Sequence, residues 1–76
     1  MSEVLFYVIE ERYDDYIWTV GFCSKIPETE EEYEKISNVL HLSKEHIDEL
    51  FSGGYCEKTP IHSYSIDKIY KEEFIL

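Results

Sequence analysis

The chain is poor in the residues that interrupt regular structure: only three of its 76 residues are glycine and two are proline. It has no Gly/Ser-rich linker and no proline-rich segment, so it reads as one folding unit, a single domain over residues 1–76. Cysteine is scarce too. Two thiols, Cys23 and Cys56, cannot supply the multi-bridge framework that staples small secreted domains. Bases are the deepest shortage, with seven Lys and Arg against 17 Asp and Glu and a net charge of −10. Proteins that grip nucleic acid or anionic membrane carry the opposite sign, so neither is expected as a direct partner. Long apolar runs are also missing. The stretch from Val4 to Ile9 falls far short of the ~20 residues of a membrane span, and Met1-Ser2-Glu3 ahead of it lacks the basic start of a secretion signal. A cytoplasmic protein is expected.

What is present argues for a folded chain. Hydrophobic residues make up 43% and aromatic residues 16%, in periodic runs that a disordered acidic tail lacks. Val4 to Ile9 has strand length and two apolar faces, one of Val4, Phe6 and Val8 and one of Leu5, Tyr7 and Ile9. That pattern suits a central strand, or one whose second face a partner covers. Tyr16 to Ser24 is rich in β-branched and aromatic residues and is expected to place Tyr16, Trp18, Val20 and Phe22 on one side. The connection through Arg12-Tyr13-Asp14-Asp15 makes an antiparallel hairpin the economical arrangement.

Thr29 with Glu32 forms a Thr-x-x-Glu capping box, which starts a helix whose buried stripe is Tyr33, Ile36, Val39 and Leu40. Ser43 caps a second helix with Ile47, Leu50 and Phe51 inward and Gly53-Gly54 as its stop. Pro60 opens a third strand over Ile61 to Ile66. At the tail, Ile66, Ile69, Tyr70 and Phe74 follow helical spacing while Tyr64, Ile66, Lys68 and Tyr70 alternate as in a strand. A short C-terminal helix is the favoured reading. The expected fold is α+β: an N-terminal antiparallel hairpin, two helices, a third strand and a short C-terminal element.

Signals for catalysis are weak. The sequence has no phosphate-binding loop, no dinucleotide-binding glycine turn and no nucleophile elbow. Cys23, His41, His46, Cys56 and His62 lack the close pairing of zinc ligands, and the acids lack the ordered spacing of a calcium loop. Cys56 and His62 have no local arrangement that would make them a nucleophile and its base. A chain this short buries only about 60% of its unfolded surface, which leaves little room for an enclosed substrate cavity. No enzyme activity, catalytic residue, metal or cofactor is expected.

The acids are unevenly spread. Residues 1–34 hold ten acids against two bases, and residues 35–76 hold seven against five. Glu10, Glu11, Asp14 and Asp15 fall around one hairpin connection, and Glu28, Glu30, Glu31, Glu32 and Glu34 around one helix start. The helix dipole favours two or three acids in a first turn, but a block of like charge costs self-repulsion that folding alone does not favour. Residues four apart on a helix are separated by about 6 Å along its axis. Glu30 and Glu34 therefore lie near the phosphate-to-phosphate interval of a nucleic-acid strand, and arginine engages carboxylate and phosphate with the same fork.

In size and charge, and through the clusters Glu10-Glu11, Asp14-Asp15 and Glu30-Glu31-Glu32, the chain resembles the small acidic DNA-mimic proteins of phages. Within them it is most similar to the phage inhibitors of the bacterial nucleoid protein HU. That resemblance implies stoichiometric inhibition of a basic DNA-binding protein, in the host cytoplasm. The acids that would carry it are the two clusters just described together with Glu45, Asp48 and Glu49. HU is a dimer, and the two apolar faces of Val4 to Ile9 leave room for a homodimer here as well. Lys58, Lys68 and Lys71 dilute the acidity of the C-terminal third, which is expected to be scaffold or dimer contact. Anti-restriction and anti-CRISPR inhibitors use the same electrostatics. A different class stays open: an acidic interaction module that regulates a transcription or replication complex through Tyr13, Tyr16, Trp18 and Tyr33.

Overall fold

Alternating apolar residues and a two-residue turn build the first half of the sheet in a computed structural model that describes residues 3–73. β1 (Val4–Tyr13) and β2 (Tyr16–Cys23) form the expected antiparallel hairpin. The strands run closer to the turn than the charged connection implies: Arg12 and Tyr13 belong to β1, and Asp14 and Asp15 alone reverse the chain. Asp14 takes φ 56°, a left-handed conformation that Asp tolerates better than most side chains. Its N–H donates to the Ile61 carbonyl at 2.8 Å, which ties this turn to the Pro60-Ile61 turn beside it at the same end of the sheet.

One expectation for β2 needs correction. Pairing steps from Ile9↔Gly21 to Glu10↔Thr19 and leaves Val20 without an opposite residue. Such a bulge inverts the alternation beyond it. Trp18 pairs with Glu11 and Phe22 with Val8, so these two rings point to opposite faces, and Phe22 is 68% exposed. Val20 itself packs against the core.

α1 (Glu30–Leu40) starts as expected. The Glu32 carboxylate accepts from the N–H groups of Glu28 and Thr29 at 2.9 and 3.0 Å, and the Thr29 hydroxyl accepts from the Glu32 N–H at 3.2 Å. Leu40 is buried and Tyr33 and Ile36 are half-buried, but Val39 is exposed, contrary to the stripe. α1 leaves an apolar groove between itself and β2, lined by Val20, Cys23, Ile36 and Val39, instead of closing onto the strand. α2 (Lys44–Gly53) is capped by Ser43, buries Ile47 and Leu50 completely, and ends at Gly54 with φ 81°.

The C-terminal third departs most from expectation. The strand expected over Ile61 to Ile66 is the first part of a longer one, β4 (His62–Tyr70), and an unexpected strand, β3 (Tyr55–Thr59), precedes it, joined through Pro60-Ile61. Residues 66–70 are strand, not helix, because β1 has a second edge to satisfy and pairs with β4 from Val4↔Tyr70 to Tyr13↔His62. A single 3-10 turn, Lys71–Glu73, follows, and Phe74 lies outside the described residues.

The architecture is α+β: a four-stranded antiparallel sheet in the order β2-β1-β4-β3 with both helices on one side. Between them lies the core of Ile9, Leu40, Leu42, Ile47, Leu50, Cys56 and Tyr64. No described helix covers the other side of the sheet, which carries Phe6, Val8 and Phe22 towards one end and Glu10, Arg12, Ser63 and Ser65 towards the other. No described helix is long and apolar enough to cross a membrane.

Candidate protein-binding surface

Helical periodicity places the acids of α1 and α2. With Tyr33, Ile36 and Leu40 turned inward, Glu30, Glu31 and Glu34 are exposed, as is Glu28 just before the helix. With Ile47 and Leu50 inward, Glu45, Asp48 and Glu49 are exposed on α2. Tyr33 joins the two helices. Its hydroxyl donates to the Asp48 carboxylate, and the Lys44 ammonium lies 5.0 Å from its ring centroid. The hydrogen bond to Asp48 holds the Tyr33 hydroxyl above its ordinary pKa. From Glu28 to Gly53 the chain carries eight acids and two bases, a balance of −6 out of the total −10. Glu57 on β3 shares a shallow concavity with Glu45 and Glu49 and extends the acidic layer over the sheet edge. Sequence reasoning missed Glu57 because β3 itself was not recognised.

Two of the expected acids are not surface groups. The Glu11 carboxylate meets His62 Nε2–H and the Tyr64 hydroxyl, the latter at 2.8 Å, and its side chain is 18% exposed. The register Glu11↔Tyr64 causes this by setting Glu11 on the helix side, and the same hydroxyl lies 3.0 Å from the Leu40 carbonyl at the end of α1. Burial, reinforced by the Glu11 carboxylate, pushes the Tyr64 hydroxyl well above its ordinary pKa. Glu32 is occupied by the capping box and by Lys25 Nζ at 2.8 Å. The hydrogen bond from Lys25, with those from the Glu28 and Thr29 N–H groups, lowers its carboxyl to about 2, while the same pairing raises Lys25.

The hairpin acids stand apart from the helix layer. Glu10 projects from the open side of the sheet, opposite the helices, close to Arg12. Asp14 and Asp15 cap the far end of the hairpin. The two acidic clusters therefore do not merge into one band: the helices carry one, and the hairpin end another. Glu31 has only a loose contact with Lys35, 3.9 Å between two exposed groups, which contributes little.

Among the described residues, no three His, Cys, Asp or Glu side chains converge on a point where a metal would sit. His62 is engaged by Glu11, and Cys56 is in the core, where burial raises its thiol to about 11. Burial also raises Cys23. Neither thiol has the depressed pKa of an activated nucleophile. Comparison with known protein families, curated proteins and solved structures finds no match.

Proposed function

We propose that the chain is a stoichiometric inhibitor that lays its helix layer on the basic nucleic-acid-binding surface of another protein, with the nucleoid protein HU as the preferred target. The observation that supports this is one layer of seven exposed acids, Glu28, Glu30, Glu31, Glu34, Glu45, Asp48 and Glu49, interrupted only by Lys35 and Lys44. Carboxylates at a helical interval of about 6 Å meet the arginines and lysines that otherwise hold successive phosphates. The inhibitor then competes with nucleic acid for the same side chains. This contact excludes Glu11, which is largely buried, Glu32, which is occupied by Lys25 and the capping box, and Glu10, which faces away.

The open side of the sheet is left for a second copy of the chain. Phe22, 68% exposed and in edge-on contact with Phe6 at 5.8 Å, would be covered there while both helix layers stay outward. Light scattering should give the mass of two chains, and Phe22→Glu should reduce it to one.

Competition for DNA tests the main proposal. The wild-type chain should release DNA from HU at low salt and progressively less as salt rises, because screening acts on exposed charge. The variant Glu30→Lys, Glu31→Lys, Glu34→Lys should keep its circular dichroism and lose at least tenfold in potency. Unchanged release by that variant would end the assignment to the helix layer. Salt-tolerant binding would favour the aromatic interaction module, and a restriction or CRISPR nuclease captured in place of HU would redirect the target.

A further inference from the structure

The helices do not cover the whole of the sheet side they lie on. Towards the hairpin turn, the register Tyr13↔Tyr16 and Glu11↔Trp18 sets three aromatic side chains on that same side, beyond the reach of α1 and α2. Tyr13 is 48% exposed, Tyr16 72% and Trp18 43%. Tyr13 is steadied by an edge-on contact with His62, ring centroids 5.2 Å apart, and His62 is itself fixed by Glu11. Tyr16 and Trp18 make no hydrogen bond or ring contact with other described residues, and Tyr16 is largely and Trp18 partly open to solvent. Paired residues on adjacent strands lie ~5 Å apart and alternate residues on one strand ~7 Å apart. Three rings at those intervals make a platform of the size of a guanidinium group with its methylene stem.

The charge around the platform selects the occupant. Asp14 and Asp15 form the turn between Tyr13 and Tyr16, and the Glu11 carboxylate lies beside Tyr64, which contacts the last turn of α1. That turn contains no basic residue of its own, and the Lys58 ammonium on the carbonyl of its C-cap, His41, offsets the negative end of the helix dipole, so the unpaired negative charge beside the platform is that of the Asp14-Asp15 turn. Arg12 is on the opposite side of the sheet, in a concavity whose rim Asp14 shares, while Asp15 does not line it. Lys58 lies two strands from β1, and its ammonium is engaged by the His41 carbonyl at 3.0 Å. A purely apolar partner would bury the exposed Asp14 and Asp15 carboxylates without compensation, and a second copy would bring the same negative charge against itself. A cation suits both rings and carboxylates. Arginine suits them best, because its planar, weakly hydrated head stacks on aromatic faces.

We infer that Tyr13, Tyr16 and Trp18 form an aromatic seat for an arginine side chain of a basic protein segment, with Asp14 and Asp15 supplying the counter-charge. The seat is separate from the helix-layer acids and does not depend on them.

Trp18 is the only tryptophan in the chain, so its emission reports on the seat directly. The full chain titrated with hexa-arginine at near-physiological salt should show a saturable change in Trp18 emission. Tyr16→Leu retains apolar area but removes a ring face, and should weaken the interaction about two- to fivefold. Asp14→Asn with Asp15→Asn should weaken it as well and flatten its salt dependence; Asn tolerates the left-handed backbone at position 14. Glu30→Gln with Glu34→Gln should leave the Trp18 titration within about twofold of wild type. The seat is refuted by a flat titration, by wild-type binding in Tyr16→Leu, or by equal binding of hexa-lysine. Equal loss in the turn and helix-layer variants also refutes it, since generic charge would then be the attraction. Failure of HU competition leaves the Trp18 signal in place, so the two proposals fail separately.

Discussion

Removing the Glu11 carboxylate strands the largely buried His62 ring and takes one of two acceptors from the Tyr64 hydroxyl, which keeps the Leu40 carbonyl. A buried group left without its partner costs about 1–3 kcal/mol. Glu11→Ala should lower the urea unfolding free energy by that amount, while Glu10→Ala, one residue away on the open side, should change it by no more than ~0.5 kcal/mol. Glu32 carries a pH dependence. Its folded carboxyl sits at about 2 against an ordinary 4.5, so it adds stability above the ordinary value and loses it as pH falls towards 2. The difference in melting temperature between wild type and Glu32→Gln should be full at pH 6 and shrink steadily below pH 4.5. At the cysteines, burial predicts that a thiol reagent at pH 8 modifies Cys23 first and reaches Cys56 only when the chain unfolds.

At the scale of the element, the two adjacent glycines should respond with opposite signs. Gly53 ends α2 with ordinary backbone angles, and a methyl group added there would meet open space, so Gly53→Ala should stabilise by about 0.4–1 kcal/mol. Gly54 has φ 81°, and Gly54→Ala should cost about 1 kcal/mol despite equally open space. Thermal or urea denaturation reads both. These caps were legible in the sequence because Thr29, Glu32, Ser43 and Gly54 act on backbone groups within a few residues of themselves. The helix-layer acids were legible for a similar reason, since Ile47, Leu50 and Leu40 fix which way each helix turns. The bulge at Val20 and the strand β3 answer instead to pairing across the sheet, which no local pattern announces; over residues 66–70 strand alternation competed with helical spacing, and pairing with β1 decided between them. Glu11 was misread on the same account: His62, the partner that removes it from the surface, is 51 residues away.

At the scale of the whole molecule, the net charge of −10 sets stability and binding against each other. Self-repulsion among fixed charges weakens the folded state and is relieved by screening. Raising salt from roughly 20 to 200 mM, across which the Debye length falls several-fold, should raise the melting temperature of the isolated chain. The same change should loosen its hold on a basic partner. Scanning fluorimetry with and without HU would show the two trends crossing.

The order β2-β1-β4-β3 also has a consequence for how the chain is made. β1 is made before the other described strands and meets β2 next, but its other flank waits for β4, the last of the described strands in chain order. Contacts this distant along a chain form slowly. A nascent chain halted before His62 would hold a bare inner strand, and translation must pass Tyr70 before the sheet can close on its own centre.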